Sequence, residues 1–383
     1  MVKKSEHLAL HPVMIGNLTL CGQRILREDP FPDFIIAVEL GFKPERARQF
    51  TDCEGCIAFL ERISENQNLL NKEHHMYEPA IPLDKLKSIT FPIIGNGYLK
   101  VIDWMGTEED IIRAARMSTD KGFQQWEPGI WEGQKIAGDH KLLRTLMAKR
   151  HTTPFEMVEL AVEVQAPLMV FREWHRHRTQ SYNEFSARYS VMPNEHYVPA
   201  AERIQKQSTM NKQGSAEALP LDVALGVVEQ IKQEQEDIYE QYESFIEEGI
   251  AKEVARIDTP VSRMSRCRAK TDLHNWLSFL RLRTPDDAQW EIRQYALGIA
   301  WIVKQLWPRT YELWVDHVRT SLTLSFPEVQ ALDVLLAPGT LAGGLLPEPL
   351  DNLRKKVADK VADRNTFEAN IQAVEDMAFK LAA

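Results

Sequence analysis

An α+β fold is predicted by three observations. Residues 158–165 alternate Val158, Leu160, Val162 and Val164 with Glu159, Ala161, Glu163 and Gln165, the period-two pattern of a half-buried strand. Longer stretches on both sides repeat apolar residues at spacings of three and four, the period of amphipathic helices. Turn signals at Pro79, Pro82, Pro92 and Gly95-Asn96-Gly97, and a Gly/Pro-rich stretch after Pro327, divide the chain by texture. The expected organisation is an N-terminal extension of unknown fold over 1–96, a core over 97–327, and a linker with a helical tail over 328–383.

Within the core, Thr107-Glu108-Glu109-Asp110 before Ile111 is a capping-box signature, so a helix is expected to start there. A second helix is expected over 140–149, with Leu142, Leu143, Leu146 and Met147 on one face. After the strand at 158–165, Pro167 suits the first turn of a helix over 168–178 that would carry Arg172, Arg176, His177 and Arg178. Val227, Ile231, Ile238, Tyr242 and Phe245 share a helical face; Gly249 can close that helix before another starts at Ala251. Ile292, Tyr295, Ile299, Ile302 and Leu306 mark one more core helix. Two further helical patterns, over 349–364 and 366–380, look like an added cap or an oligomer contact.

Charge and composition exclude several functions. Lys and Arg number 46 against 55 Asp and Glu, so the net charge of -9 disfavours a surface that tracks nucleic acid or anionic lipid throughout, though a local basic pocket remains open. The start of the chain lacks an uninterrupted apolar run, and the longest uncharged stretch, 334–347, is broken by prolines and glycines; a cytoplasmic protein with no membrane partner is expected. Four cysteines make no disulfide framework. Cys53 and Cys56 with His74 and His75 lack the spacing of a zinc site and read as reduced thiols, so no metal is expected. Neither Ser181 nor Ser186 sits in a Gly-x-Ser-x-Gly elbow, and no P-loop or Rossmann fingerprint occurs.

Residues 176–189 gather Arg176, Arg178, Arg188, His177, Asn183, Glu184, Ser181 and Ser186 behind a buried strand and an apolar helix. Guanidinium forks match phosphate oxygens, so a dianionic ligand is one reading and a solvated charged face the other. This string, Arg-His-Arg-x-x-Ser continuing as Asn183-Glu184-Phe185-Ser186-Ala187-Arg188-Tyr189, resembles the signature of the flavin-dependent thymidylate synthases (ThyX). Blocks at 106–116, 150–156, 255–257, 279–283 and 288–292 resemble the same family in the same order.

The resemblance implies a core of mixed helices and mainly antiparallel sheet that converts dUMP to dTMP. It implies methylenetetrahydrofolate as carbon donor, FAD as redox carrier, NADPH as reductant, a homotetramer, and no cysteine nucleophile. By position in the motifs, Glu173, Arg176, Glu184, Phe185, Ser186, Ala187, Arg188, Arg256 and Arg283 are expected to hold the nucleotide. Ser118, His151, Thr153, Glu156, Arg176, His177, Arg178, Asn183, Glu184, Asp272, His274 and Ser278 are expected to contact the flavin. Arg283 is expected to be catalytic: a guanidinium beside the uracil can stabilise negative charge growing on N3 and the carbonyls, activating C5.

The chain departs from the family pattern at Glu173, where glutamine is expected, and at 262–270, where arginines replace aromatics. The latter stretch reads either as a basic loop lining an anion entrance or as a solvated loop. The rival of another class is a non-catalytic nucleotide- or RNA-binding protein that uses the arginine-rich segment.

Overall fold

The computed structural model describes residues 79–209, 214–329 and 347–382. Residues 1–78, and with them Cys53, Cys56, His74 and His75, lie outside the described residues. Five strands form one sheet: β1 (Thr90–Pro92), β2 (Tyr98–Met105), β3 (Glu159–Pro167), β4 (Ser181–Glu184) and β5 (Met264–Asp272), in the order β1-β2-β3-β5-β4. Every pairing is antiparallel, as expected for this fold.

Alternation along each strand sorts the side chains. On β3, Leu160, Val162, Val164 and Ala166 are fully buried, while Glu159 and Glu163 stand on the opposite face. From Met264 on, the 262–270 stretch is not a loop but the sheet's β5, with Cys267, Ala269 and Thr271 turned inward and Arg266, Arg268 and Lys270 outward. The outward cations meet the acids of β3, Arg268 to Glu163 at 3.1 Å and Lys270 to Glu159 at 2.6 Å. Those cross-strand pairs offset two of the three outward cations in the row that looked like an anion entrance.

The helices of seven residues or more are α1 (Glu108–Arg116), α2 (Asp139–Ala148), α3 (Leu168–Trp174), α4 (Leu221–Glu247), α5 (Leu273–Arg283), α6 (Trp290–Leu306), α7 (Pro308–Trp314) and α8 (Pro347–Ala382), with short turns of helix at Leu83–Leu86 and Lys252–Ala255. The Asp110 carboxylate accepts from the Thr107 N–H at 2.8 Å, the box that starts α1. Helix α6 carries Ile292, Tyr295, Ile299, Trp301 and Ile302 fully buried against the inner face of the sheet. Its Tyr295 hydroxyl donates to the Gln165 carbonyl at 2.8 Å, and a Cβ on Gly97 would stand 2.2 Å from that hydroxyl. Only glycine fits there.

The described residues of 79–321 and 360–382 form one compact unit. Ile81, Leu86, Ile89, Phe91 and Ile94, which the sequence grouped with the extension, are buried in its core. Where two tail helices were expected there is one, because nothing at 364–366 breaks it and Arg364 pairs with Glu368 at 2.9 Å across the junction. From residue 360 on this helix is core: Phe367, Ile371 and Ala378 are buried with Tyr311 and Trp314.

Candidate active site

Helix α3 ends four residues earlier than expected, at Trp174. Its last residue is locked in the core, with the indole N–H donating to the Gln180 side chain at 2.9 Å. The returning chain then takes over the freed carbonyls: the Tyr182 hydroxyl reaches the Trp174 carbonyl at 3.2 Å and that of His177 at 2.8 Å. Arg176, His177 and Arg178 therefore sit in a fixed turn between α3 and β4, not on a helix.

Three of the expected residues converge at the end of α5. Arg283 donates from Nε to Nε2 of His177 at 3.0 Å, from Nη1 to the Glu173 carboxylate at 2.6 Å, and from Nη2 to the Glu173 carbonyl at 2.9 Å. A guanidinium has five N–H donors, so two stay available on a side chain that is 15% exposed. The His177 ring stands edge-on to Phe279, centroids 4.8 Å apart. Burial first, and the Arg283 charge second, push its pKa down to about 4. His177 is thus neutral at pH 7 and can accept from Arg283.

A second group lies along β4 and beyond it. Glu184 accepts from the Ser265 hydroxyl of β5 at 2.8 Å, and the Phe185 N–H donates to the Arg266 carbonyl at 2.7 Å. The Ser186 carbonyl then closes a turn by accepting from the Tyr189 and Ser190 N–H groups. Ala187 is buried with Ala255, Met192, Tyr239 and Tyr242 in a small apolar cluster. Arg188 and Arg256 each directly follow one of its alanines, so one platform carries both guanidinium groups. Arg188 lies 5.4 Å from the Tyr189 ring centre, and the Lys252 ammonium ties the Tyr189 carbonyl at 3.0 Å.

The third group surrounds the 3-10 turn Thr153–Met157, which packs against α1 and α5. Arg150, at φ +56, ends α2 in the left-handed region and turns the chain outward, leaving His151, Thr153 and Glu156 exposed. Non-glycine residues held in that region gather at functional sites. Ser118 is exposed after α1, with its hydroxyl on the Ala115 carbonyl. His274 and Ser278, four apart on α5, share a half-buried face. Asp272 spends its carboxylate on the α5 N-cap, accepting from the Asn275 N–H at 2.9 Å and its side-chain amide at 2.6 Å.

Among the described residues no ion pair or hydrogen bond occupies the side chains of Arg176, Arg178, His151, Thr153, His274 or Ser278. Unpaired guanidinium, imidazole and hydroxyl donors are the set a flavin diphosphate requires, so the residues present fit that cofactor. Sequence reasoning missed Tyr182 and Ser265, which hold His177 and Glu184 in place. The inward row Ser265, Cys267, Ala269 and Thr271, alternating with charges, was the strand signal that could have exposed Ser265. Cys267 itself is buried, and burial followed by the Glu184 charge pushes its thiol up to about 11.

Comparison with known proteins gives the family of the chain. Residues 100–309 match the thymidylate synthase complementing protein family. The chain is 40% identical over 233 residues to a flavin-dependent thymidylate synthase of Wolbachia pipientis, covering 61% of this chain and 78% of the relative. A Thermus thermophilus enzyme of the same name is 39% identical over 270 residues, covering 70% and 94%. Among solved structures, the UMP/dUMP methylase PolB of Streptomyces cacaoi, bound with 5-Br UMP, superposes with a TM-score of 0.52 at 29% identity, covering 60% of this chain and 98% of that one. The family match over residues 100–309 and the sequence identity to these relatives place the chain in the flavin-dependent thymidylate synthase (ThyX) family.

Proposed function

We propose that this enzyme methylates dUMP to dTMP with methylenetetrahydrofolate as carbon donor, NADPH as reductant and FAD as cofactor. The observation that carries the reading is Arg283, whose guanidinium is fixed on one side by Glu173 and His177 and keeps two donors free. Those donors can meet a pyrimidine edge and stabilise the negative charge that develops as C5 becomes nucleophilic. Fixing them beforehand spares reorganisation during the reaction.

Arg188 and Arg256 on the Ala187–Ala255 platform supply the two guanidinium groups for the nucleotide phosphate. Ser186 and the 185–187 backbone grip its sugar side, with Glu184 oriented by Ser265. Ser118, His151, Thr153, Arg176, Arg178, Asn183, His274 and Ser278 would hold the flavin, which supplies the two-electron reduction of the transferred carbon. Glu156 and Asp272 lie beside that set, Asp272 as the cap that orients the His274 end of α5. Cys267, inward and protonated at pH 7, leaves activation of C5 to Arg283.

Family resemblance supports a homotetramer, and among the described residues no helix is long and apolar enough to cross a membrane; a cytoplasmic enzyme is the matching location. Two of the three outward cations of β5 are paired with Glu163 and Glu159, so that row adds little to the RNA-binding alternative, which rests on the arginine-rich segment 176–189. Tritium release from C5-labelled dUMP, with folate donor and NADPH and with or without FAD, tests the reading. Release that requires FAD is expected. A colourless protein that binds no added FAD and releases no tritium refutes it.

A further inference from the structure

The far half of α8 lies beyond the residues that match the family, yet its contacts run to the base of Arg283. Thr284 follows Arg283 directly and is buried. Its hydroxyl donates to the Leu280 carbonyl at 2.8 Å, closing the last turn of α5, and accepts from Nε of Arg319 at 2.8 Å. Nη2 of Arg319 also reaches the Thr284 carbonyl at 3.5 Å. The guanidinium then donates to both carboxylate oxygens of Asp363 on α8, at 2.5 and 2.7 Å. Phe367, one turn on, covers it with the ring centre 4.9 Å away.

Arg319 is 3% exposed, and it ends a π-helical turn, Val315–Arg319. Such turns are rare and gather at functional positions. Burying an arginine is strongly unfavourable unless a carboxylate meets it with good geometry, and Asp363 supplies that here. Lys360 adds a second cation to Asp363 at 3.3 Å. The same helix has a separate anchorage: Glu375 accepts from the Trp301 indole at 3.2 Å and from Lys304 at 3.0 Å, on α6. With the buried Phe367, Ile371 and Ala378, this anchorage holds the helix independently of Asp363. The Asp363 contact does something more specific, because it continues through Arg319 into the turn that projects Arg283.

We propose that Arg319 and Asp363 are positioning residues for Arg283, so that α8 braces the final turn of α5 and sets where the guanidinium points. This rests on the reading of Arg283 as the group that meets the pyrimidine. Side-chain contacts from Glu173 and His177 orient the tip of Arg283, and the brace fixes the backbone it springs from. A displacement of the turn by about 1 Å carries to the reacting atoms, where such errors lower rates by up to about a hundredfold.

The test uses the full-length, flavin-loaded enzyme. Asp363→Asn, Glu375→Gln, Arg283→Ala and the double variant Asp363→Asn with Arg283→Ala are compared for Tm, flavin content, kcat and KM for dUMP. Asp363→Asn is expected to lower kcat about tenfold or more with flavin retained, while Glu375→Gln lowers Tm and leaves kcat within about twofold. In the Arg283→Ala background Asp363→Asn should cost no further activity, because the brace acts through Arg283. Normal kcat in folded Asp363→Asn, or the same fractional loss in both backgrounds, overturns the proposal and leaves the pair as packing. If Asp363→Asn does not fold, Asp363→Glu keeps the charge and shifts it by one methylene; unchanged kcat in that variant also overturns it. An inactive wild type refutes the reading of the function, whereas an active wild type with an indifferent Asp363 refutes this inference alone.

Discussion

The hydrogen bond from Arg283 Nε to His177 Nε2, 3.0 Å long, makes the histidine an acceptor. That assigns its proton to Nδ1 and requires the neutral ring, since the imidazolium has no lone pair to offer. Protonating His177 would place a cation against a guanidinium in a half-buried site. The contact that orients Arg283 is therefore also the contact that acid breaks.

A pH dependence follows with a definite sign. His177 moves from an ordinary value of 6.5 down to about 4 in the folded protein, through burial and then Arg283. Between those values the unfolded chain binds more protons, so stability is full above about pH 6.5 and is lost as pH falls towards 4. His196 adds to the same window: burial, and then Arg263, push it down to about 4 as well. Tm measured across this range on wild type, His177→Gln and His196→Gln should show each variant losing part of the slope. In His177→Gln the amide oxygen can still accept from Arg283, so activity should hold to lower pH than in wild type. A wild-type Tm that stays flat between pH 7 and pH 4.5 contradicts the assignment.

Much of this was legible in the sequence, for reasons tied to local chemistry. The capping box at Thr107 and the alternation on β3 are local codes, and the structure keeps both. The end of α3 was not legible, because it is set by Tyr182 and Gln180 folding back from β4. Charges masked β5: Arg268 and Lys270 looked like part of a solvated loop until Glu163 and Glu159 of a distant strand paired with them. The Arg283 motif was visible, whereas its anchorage depends on residues more than a hundred positions away.

Removing the guanidinium at Arg283 should lower kcat by roughly a hundredfold or more, the scale for losing a pre-organised charge-stabilising donor. Flavin content should survive in Arg283→Ala. Lysine should rescue poorly, since a single ammonium cannot serve His177, Glu173 and the substrate together. Near-normal kcat in a flavin-loaded Arg283→Ala enzyme would remove this residue from the chemistry.

Glu173 gives Arg283 both a carboxylate and its own backbone carbonyl. Glu173→Gln keeps an acceptor at nearly the same place, so kcat should stay within about threefold, whereas Glu173→Ala should lose about tenfold with little change in KM for dUMP. The pair is partly exposed, so Tm should move only slightly in either variant. A large rise in KM with kcat preserved would instead make Glu173 a direct ligand of the nucleotide.

Cys267 offers the sharpest separation from thiolate chemistry. It faces inward from β5, is 3% exposed, and has a thiol pushed up to about 11, so almost none is ionised at pH 7. A nucleophile needs the opposite environment, electropositive and accessible. Cys267→Ala should keep turnover and cost about 1 kcal/mol for the small cavity. Cys267→Ser should be the less stable of the two, because its hydroxyl is harder to bury than a thiol unless a partner accepts from it. The thiol donates to the Arg268 carbonyl at 3.4 Å, a distance long for a hydroxyl donor. Changing Cys21, Cys53 and Cys56 in the same protein should likewise leave tritium release from C5-labelled dUMP intact. Assays on the flavin-loaded Cys267→Ala and quadruple variants decide the point: loss of release in a folded enzyme would return a cysteine to the mechanism, and retained release with a lowered Tm confines Cys267 to the core.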